Sequence, residues 1–310
     1  MFLRGFLLFS VLCLSCKNIE QENQKETQQP SESGGTASQD TQALGLVSWS
    51  PLDASYAGIS RTSYRATGSS GNSFSVNALR VDLSTPGIRL ASTPPMASWV
   101  DGKQETMTAK VSQFISGSQK TNQKIAVAIN SDAFTLTNST KSVPTDLCGF
   151  GVSNGILVSS GSAGGVAATL FWDPVNGAKM ENTSRTSANT STIAANLVAV
   201  SGFSFALQDG VVKVYDATLA ARSGAGLSAD NRFLFLVTID QRIGRNASDG
   251  ATIGQLGEQL LALGSYMGIN LDGGGSTQMA WWNPASSSVQ VLGGSDTRYV
   301  GQHLGVYYLK

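Results

Sequence analysis

The sequence predicts a single α+β domain (mixed α/β) with mixed sheets and few helices. Glycine is abundant, at 34 residues, and charged residues make up only 14% of the chain, which favours short strands and tight turns over long surface helices. Two segments carry apolar residues at helical spacing, and three apolar strand-like runs each end in polar residues. We therefore expect the functional site to lie at strand ends and Gly-rich loops.

Periodicity predicts several elements in the first half of the chain. Apolar and polar residues alternate where we predict strands, and apolar residues recur three or four positions apart where we predict a helix. We expect Thr108 to cap that helix, and Pro86 with Gly87 to form a turn. The elements are a strand at 74–83, the turn, a strand at 88–90, a helix through Val111, Phe114 and Ile115, and a buried strand at 125–129.

In the second half of the chain, the sequence predicts a strand, a helix and a further strand that leads into a glycine run. The strand at 233–239 is apolar almost throughout. Thr252 and Gln255 have the spacing of a capping box, and Gly264 follows a stripe of leucines, so a helix should run between them. The strand at 269–271 then enters an aspartate and three glycines.

Residues 1–16 predict a lipoprotein-type signal peptide. Arg4 supplies an early positive charge, and the apolar run at 6–14 is too short to span a bilayer. A small residue, Ser15, directly precedes Cys16, so we expect Cys16 to be lipidated; ordinary cleavage and an uncleaved anchor are the alternatives. The prediction is an exported protein, lipid-anchored to a bacterial membrane, periplasmic or on the cell surface.

Residues 17–45 predict a disordered polar tether. They contain almost no apolar side chains, so they cannot bury enough surface to offset the loss of chain entropy. A flexible chain of this length reaches roughly 30 Å. We expect the folded domain to span 46–310 and the membrane to be contacted through the lipid anchor only.

Charge and histidine content exclude two classes of function. The net charge is zero, so the chain has no basic excess to neutralise a phosphate backbone, and no nucleic-acid partner is expected. His303 is the only histidine, which excludes a His-rich metal site. We expect His303 to be packed and hydrogen-bonded rather than a general acid or base.

The run of Asp272, Gly273, Gly274, Gly275 and Ser276 is the sharpest motif. Consecutive glycines lose much backbone entropy on folding, so they mark positive φ or a close backbone approach, and their amides can form an anion-binding concavity. The run lacks the Gly-Lys-Ser/Thr of a P-loop, and a helix precedes the strand, which excludes a dinucleotide fingerprint. A plain tight turn is the alternative.

Four segments, in order, resemble the phosphodiester glycosidase family over residues from about 75 to 310. The segment at 270–276 is the most specific. The segments and the family patterns that they resemble are 128–134 with A-I-N-G-x-F-F, 221–227 with P-R-T-A-x-G, 238–242 with V-D-G-R and 270–276 with N-L-D-G-G-G-S, followed by an R-x-V at 298–300. This chain departs from the pattern at Ser131, Ala133, Ala221 and Gln241, which bears on substrate fit more than on the fold.

The resemblance implies a hydrolase that cleaves a glycosyl phosphodiester in the cell envelope or on surface glycans. An oxocarbenium-like transition state needs a carboxylate, for which Asp272 is the first candidate, Asp240 the second and Asp132 the third. Turn capping is the alternative for Asp240 and Asp132, and binding of a divalent cation such as Ca²⁺ is a further use of these carboxylates. The implied chemistry requires no cofactor.

The same resemblance implies the substrate-binding residues. Arginine pairs with phosphate oxygens through a planar fork, so three arginines are phosphate candidates, with surface or structural ion pairs as the alternative. The side chain of Asn130 would bond a sugar hydroxyl, and the backbone amides of the glycine run would line the anion site. The candidates are Asn130, Arg222, Arg242, Gly273, Gly274, Gly275, Ser276 and Arg298.

Two other functions stay open at this level. One is a non-catalytic glycan- or phosphoglycan-binding envelope lipoprotein on the same fold, and the other is a structural envelope protein with a degenerate site. Their partner would be an envelope glycan rather than a substrate that is turned over. Hydrolysis that is lost when Asp272 is replaced would separate the enzyme from both.

Overall fold

The computed structural model describes residues 47–68, 71–162, 166–184, 193–195, 197–215, 217–241 and 250–309. The residues predicted to form the signal peptide and the polar tether lie outside these ranges, as do Cys16, predicted to be lipidated, and Arg242, predicted to bind phosphate. They stay predictions, as does the start of the domain at residue 46.

Strands make up most of the regular structure, and the helices of the described residues are α1 (Val111–Ser118), α2 (Ile253–Leu263) and a 3₁₀ turn (Gly274–Ser276). No helix in this part of the chain is long and apolar enough to cross a bilayer. The strands are β1 (Ser50–Pro51), β2 (Ile59–Thr67), β3 (Ser73–Asp82), β4 (Ile88–Ser92), β5 (Thr106–Met107), β6 (Ile125–Asn130), β7 (Pro144–Thr145), β8 (Phe150–Ser153), β9 (Ile156–Ser160), β10 (Val166–Asp173), β11 (Gly177–Ser184), β12 (Val198–Gly202), β13 (Ser204–Gln208), β14 (Val211–Val212), β15 (Arg222–Leu227), β16 (Phe233–Asp240), β17 (Met267–Asn270), β18 (Gln278–Asn283), β19 (Ser288–Gly294) and β20 (His303–Tyr308).

These strands form three large sheets and a two-stranded ribbon. The strand orders are β1-β2-β3-β16-β15-β17-β13-β14, β11-β10-β12-β8-β9, β19-β18-β6-β20-β4 and β5-β7. Every pair among the described strands is antiparallel. The expectation of mixed sheets is therefore wrong, and the domain is more β-rich than the sequence predicted.

The order of strands around β15 explains this difference. In sequence, β16, α2 and β17 resemble a β-α-β crossover, which normally joins two neighbouring parallel strands. β15 lies between β16 and β17 and pairs antiparallel with both. β16 and β17 do run in the same direction, but they are not neighbours, so no parallel ladder forms.

The three large sheets enclose one hydrophobic core. Leu236 comes from the eight-stranded sheet, Ile129 from the sheet that contains β6, and Val200 from the sheet that contains β12. α2 covers the outer face of the eight-stranded sheet, and α1 covers the outer face of the β6 sheet. β16 and β6 are thus buried on both faces, which explains their unbroken apolar sequences.

The helix termini test three predictions. α2 begins after Thr252, whose Oγ1 accepts a hydrogen bond from the Gln255 N–H at 3.1 Å, and it ends at Gly264 with a φ of 110°, so both predicted ends are confirmed. α1 begins after Lys110 rather than Thr108, so the predicted cap is wrong. The Thr108 hydroxyl instead accepts a backbone N–H just before β7 at 2.9 Å.

Candidate active site

Neighbouring strands of the eight-stranded sheet bring the predicted site segments to one edge. β15 begins at Arg222, which lies opposite Ile239 near the end of β16. β17 pairs with β15 on the other side, and both partners run antiparallel to it. The ends of β16 and β17 therefore flank the start of β15, and the segments of Asp240 and Asp272 meet there.

Asn130, at the end of β6, joins this edge to the neighbouring sheet. Its Nδ2 donates to the backbone carbonyl of Asp272 at 2.6 Å. Its Oδ1 accepts from Ser223 Oγ at 2.8 Å and from the Gln278 N–H at 3.0 Å. A carboxamide oxygen has two lone pairs, so this oxygen is fully used within the protein. The predicted bond from Asn130 to a sugar stays a prediction, and in this structure the side chain holds the glycine run in place.

The Asp272 carboxyl lies beside Ser276 and Arg298 at the start of the glycine run. Burial raises the pKa of Asp272 to about 6, and this rise is opposed by a hydrogen bond from Ser276, the positive charge of Arg298 and the Gly273 N–H. The backbone N–H of Asp272 donates to the backbone carbonyl of Ser131 at 2.8 Å, which holds the Asp272 backbone in position. Asp272 is therefore mainly ionised at pH 7, next to a cation.

Arg298 occupies the space that a side chain at position 275 would need. An ideal Cβ on Gly275 would lie 2.5 Å from Nη2 of Arg298. Nη1 of the same guanidinium donates to Ser276 Oγ at 3.2 Å. Gly274 has a φ of 57°, in the left-handed region. The glycine run thus has both features expected of it, positive φ and a close approach.

The backbone amides of the glycine run are used partly inside the protein. The Gly274 N–H donates to the carbonyl of Ala221 at 2.7 Å, and the Ser276 N–H donates to the carbonyl of Gly273 at 3.0 Å. The first bond ties the run to the residue before β15, and the second closes a turn within the run. The role of these amides in binding an anion stays a prediction. The hydrogen-bond donor that the run holds in position is the guanidinium of Arg298.

Asp132 is a second buried carboxyl group near Asp272. It is only 1% exposed, and its Oδ2 accepts the Gly149 N–H at 2.7 Å. Burial, with the negative charges of Asp272 and Asp146, raises the pKa of Asp132 to about 8, although the hydrogen bonds from the Gly149 and Ala133 N–H groups oppose this rise. At pH 7 Asp132 is mainly neutral while Asp272 is mainly ionised, so the two carboxyl groups differ in charge.

Asp240 lines a cavity of about 280 Å³ beside the glycine run. Its Oδ1 accepts the Gly294 N–H at 2.8 Å, and its Oδ2 accepts from Asn77 Nδ2 at 3.0 Å. Each carboxylate oxygen has further lone pairs, so Asp240 can still accept a hydrogen bond from a ligand. The other residues that line the cavity are Ala221, Gln241, Gly274, Gly275, Thr277, Gly294 and Ser295.

Arg222 faces away from this group. Its neighbour Ser223 points towards Asn130, and successive side chains of a strand point to opposite faces. Nε of Arg222 donates to the carbonyl of Ala251 at 3.0 Å, and Nη2 donates to that of Thr218 at 2.8 Å. The structure therefore brings Asp272, Ser276 and Arg298 together, and it places Asp240 in the cavity beside Gly274 and Gly275. It places the Arg222 guanidinium on the α2 side of the sheet.

His303 is fully buried in a packed environment, as predicted. Its Nδ1 lies 2.8 Å from Thr93 Oγ1, its Nε2 lies 3.2 Å from the carbonyl of Ala109, and Phe114 stacks on the ring at 4.7 Å. Burial lowers the pKa of His303 to about 4. A neutral, hydrogen-bonded ring of this kind supports the structure rather than exchanging protons at pH 7.

Sequence reasoning missed Asn77, which holds Asp240 in place. Asn77 lies in β3 on the same face as Leu79 and Val81, both of which belong to the core. A polar residue in the core-facing positions of a strand is the signal that would have identified it.

The part of the chain that the structure describes contains no cluster of metal-ligating side chains. No group of three or more histidine, cysteine, aspartate or glutamate side chains lies close enough there to hold an ion. The Ca²⁺ suggested by the carboxylates of the motifs stays a prediction.

Comparison with known proteins identifies the family of this chain. A model of a family described as phosphodiester glycosidase matches residues 123–307, which contain β6, β15 to β20, α2 and the whole glycine run. The chain belongs to the phosphodiester glycosidase family. No protein with a curated description matches this sequence.

Solved structures show that the fold of this phosphodiester glycosidase family member is shared. The catalytic domain of zebrafish N-acetylglucosamine-1-phosphodiester alpha-N-acetylglucosaminidase is 17% identical, with a TM-score of 0.60 over 84% of this chain and 87% of that domain. A hypothetical protein from Synechocystis is 17% identical, with a TM-score of 0.53 over 81% of this chain. This chain spans 62% of the Synechocystis protein. At these identities, the likeness concerns the fold.

Proposed function

We propose that this protein is a hydrolase that cleaves a glycosyl phosphodiester of the cell envelope or of surface glycans. The observation that carries the proposal is the unit of Asp272, Ser276 and Arg298, which places an ionised carboxylate beside a guanidinium. Membership of the family supports the reaction class, and the name of the zebrafish protein suggests an N-acetylglucosaminyl phosphodiester as the first substrate to test.

The proposed reaction needs two groups, and this unit supplies both. The bond between the anomeric carbon and the phosphate oxygen breaks, and its electron pair leaves with the phosphate. Arg298 binds the phosphate oxygens, for which its planar fork is suited. Asp272 stabilises the oxocarbenium-like carbon or takes the proton of the attacking water. Phosphate is a good leaving group, so strong acid assistance is unnecessary.

The other carboxyl groups receive separate roles in the proposal. Asp240 lines the 280 Å³ cavity and keeps accepting capacity, so it binds sugar hydroxyls. Asp132 is too deeply buried to contact substrate, so it acts as a positioning residue that holds the Gly149 backbone below the site. Asp240 and Asp132 are therefore not a pair of equivalent catalytic acids in this proposal.

We also propose that the protein is exported and anchored by a lipid on Cys16, with residues 17–45 as the tether. The basis is the sequence of the first 45 residues. Metabolic labelling with a radioactive fatty acid tests this. Label in the wild type but not in the Cys16→Ala variant is expected, and equal label in both would refute lipidation at this residue.

The test of the enzyme is hydrolysis of a panel of glycosyl phosphodiesters, beginning with the α-N-acetylglucosaminyl methyl diester. Wild type should release sugar, and Asp272→Asn should lose at least about a hundredfold in kcat/KM. The matched control is Asp209→Asn, since Asp209 is exposed in a turn with a φ of 53°, which asparagine tolerates. If wild type cleaves no member of the panel but binds one of them, the glycan-binding function takes its place.

A further inference from the structure

A cleft of about 850 Å³ opens next to the candidate active site, between β2 and β3 on one side and β18 and β19 on the other. It is about three times the size of the 280 Å³ cavity that Asp240 lines. Its lining includes Arg61, Ser63, Asn77, Met279, Val291 and Leu292. None of these residues belongs to the motifs that the sequence singled out.

The cleft and the active-site cavity share a wall. Ser63 Oγ donates to Asn77 Oδ1 at 2.9 Å, and Asn77 Nδ2 donates to Asp240 Oδ2 at 3.0 Å. Ser63 and Asn77 line the cleft, whereas Asp240 lines the cavity. Two consecutive hydrogen bonds therefore lead from one space to the other.

β19 passes along both spaces. Val291 and Leu292 line the cleft, and Gly294 lines the active-site cavity. Gly293 lies between them and packs so closely on Thr238 and Asn77 that a Cβ would overlap the Thr238 hydroxyl. The cleft and the cavity therefore lie on consecutive stretches of one strand, with Gly293 between them.

The two sides of the cleft differ in chemistry. One side carries the Ser63 hydroxyl, the Asn77 amide and the guanidinium of Arg61, which is exposed. The other side is aliphatic, and Val291 is 51% exposed there. Among the described residues, no carboxylate forms a salt bridge with Arg61. This pattern suits a ligand with hydroxyl groups, an apolar face and a negative charge.

We propose that the cleft is a subsite for the leaving group of the substrate, and that it takes a sugar or polyol that carries a second phosphate, bound by Arg61. The inference rests on the proposed function, because it assigns the part of the diester beyond the scissile phosphate. It defines the substrate as an extended, anionic sugar-phosphate chain rather than a simple alkyl diester.

The experiment compares kcat/KM for two diesters of the same sugar, measured with the full chain. One has a methyl leaving group, and the other has a glycerol or sugar leaving group with a second phosphate. Wild type should prefer the phosphorylated substrate, and Arg61→Gln should reduce that preference about tenfold, since one charge-assisted contact is lost. Raised salt should weaken the wild-type preference as well.

Arg65→Gln is the matched control. Arg65 is an exposed arginine on the same face of β2, four positions further along, and it does not line the cleft. Its replacement should leave the preference intact. An equal preference in wild type and Arg61→Gln would overturn the inference while leaving the hydrolase in place. If wild type cleaves neither these diesters nor any other member of the panel, both the inference and the proposed function are overturned.

Discussion

The guanidinium of Arg298 lies against Gly275, at the position that any larger residue would fill. An ideal Cβ there would lie 2.5 Å from Nη2 and 2.7 Å from Cζ. The two residues are held together from the other side as well, because Nη1 donates to the neighbouring Ser276 at 3.2 Å. The third glycine of the run is therefore required to make room for a cation beside Asp272.

Gly275→Ala is expected to impair catalysis without unfolding the protein. The added methyl group displaces the end of a flexible side chain, so Arg298 loses its position while the backbone stays. We expect kcat/KM to fall by about 100-fold, the loss that a misplacement of about 1 Å in a substrate-binding group can cause. The control is Gly117→Ala in α1, where a Cβ would meet nothing within 4 Å. Full activity in Gly275→Ala would show that Arg298 need not occupy this place.

The pH dependence of kcat/KM in wild type should report the ionisation of Asp272. Burial raises the pKa of this carboxyl to about 6, so kcat/KM should rise with pH through about 6 as the proton leaves. Ser276 opposes that rise by bonding the charged form, so Ser276→Ala should move the acid limb to higher pH. Rate profiles from pH 4 to pH 8 measure the shift, with exposed Ser286→Ala as the control. If the acid limb of the pH profile lies at the same pH in Ser276→Ala as in wild type, the group that titrates there is not Asp272.

Local signals in the sequence predicted a large part of the fold. Thr252, Gln255 and Gly264 specify both ends of α2 through bonds within a few residues, so no knowledge of the tertiary structure was needed. The apolar runs of β6 and β16 were likewise recognisable, because both faces of these strands are buried. The glycine run stood out because its backbone demands are local.

The remaining parts depend on contacts between distant segments. Insertion of β15 between β16 and β17 decides that the sheet is antiparallel, and no local pattern encodes it. The register of β15 also decides that Arg222 points to the α2 side whereas Ser223 points to Asn130. The sequence motif predicts that Arg222 belongs to the site, but only the pairing of the strands decides which face of the sheet carries its side chain.

Asn130→Ala is expected to destabilise the protein and to disorganise the site. The change leaves the Ser223 hydroxyl, the Gln278 N–H and the Asp272 carbonyl without their present partner. Each unpaired buried polar group costs about 1–3 kcal/mol, so the free energy of unfolding should fall by about 3 kcal/mol or more. Urea unfolding measures this, with exposed Asn182→Ala as the control. Unchanged stability would mean that water replaces the amide at this junction.

Asp132 links stability to pH. Burial raises its pKa from 3.8 to about 8, so the folded state keeps this proton over a range in which the unfolded chain loses it. The folded state then binds more protons than the unfolded state between pH 4 and pH 8, and stability falls as pH rises through that window. Glu105, whose pKa burial raises to about 9, acts in the same direction.

Asp132→Asn should therefore lose less stability than wild type when the pH is raised from 4.5 to 8, because the amide has no proton to release. A neutral amide keeps an oxygen to accept the Gly149 N–H, and it removes the cost of keeping a carboxyl protonated. The measurement is the urea unfolding free energy of both proteins at the two pH values, with Asp209→Asn as the exposed control. A loss of stability between the two pH values that is as large in the variant as in wild type would mean that Asp132 does not keep its proton in the folded protein.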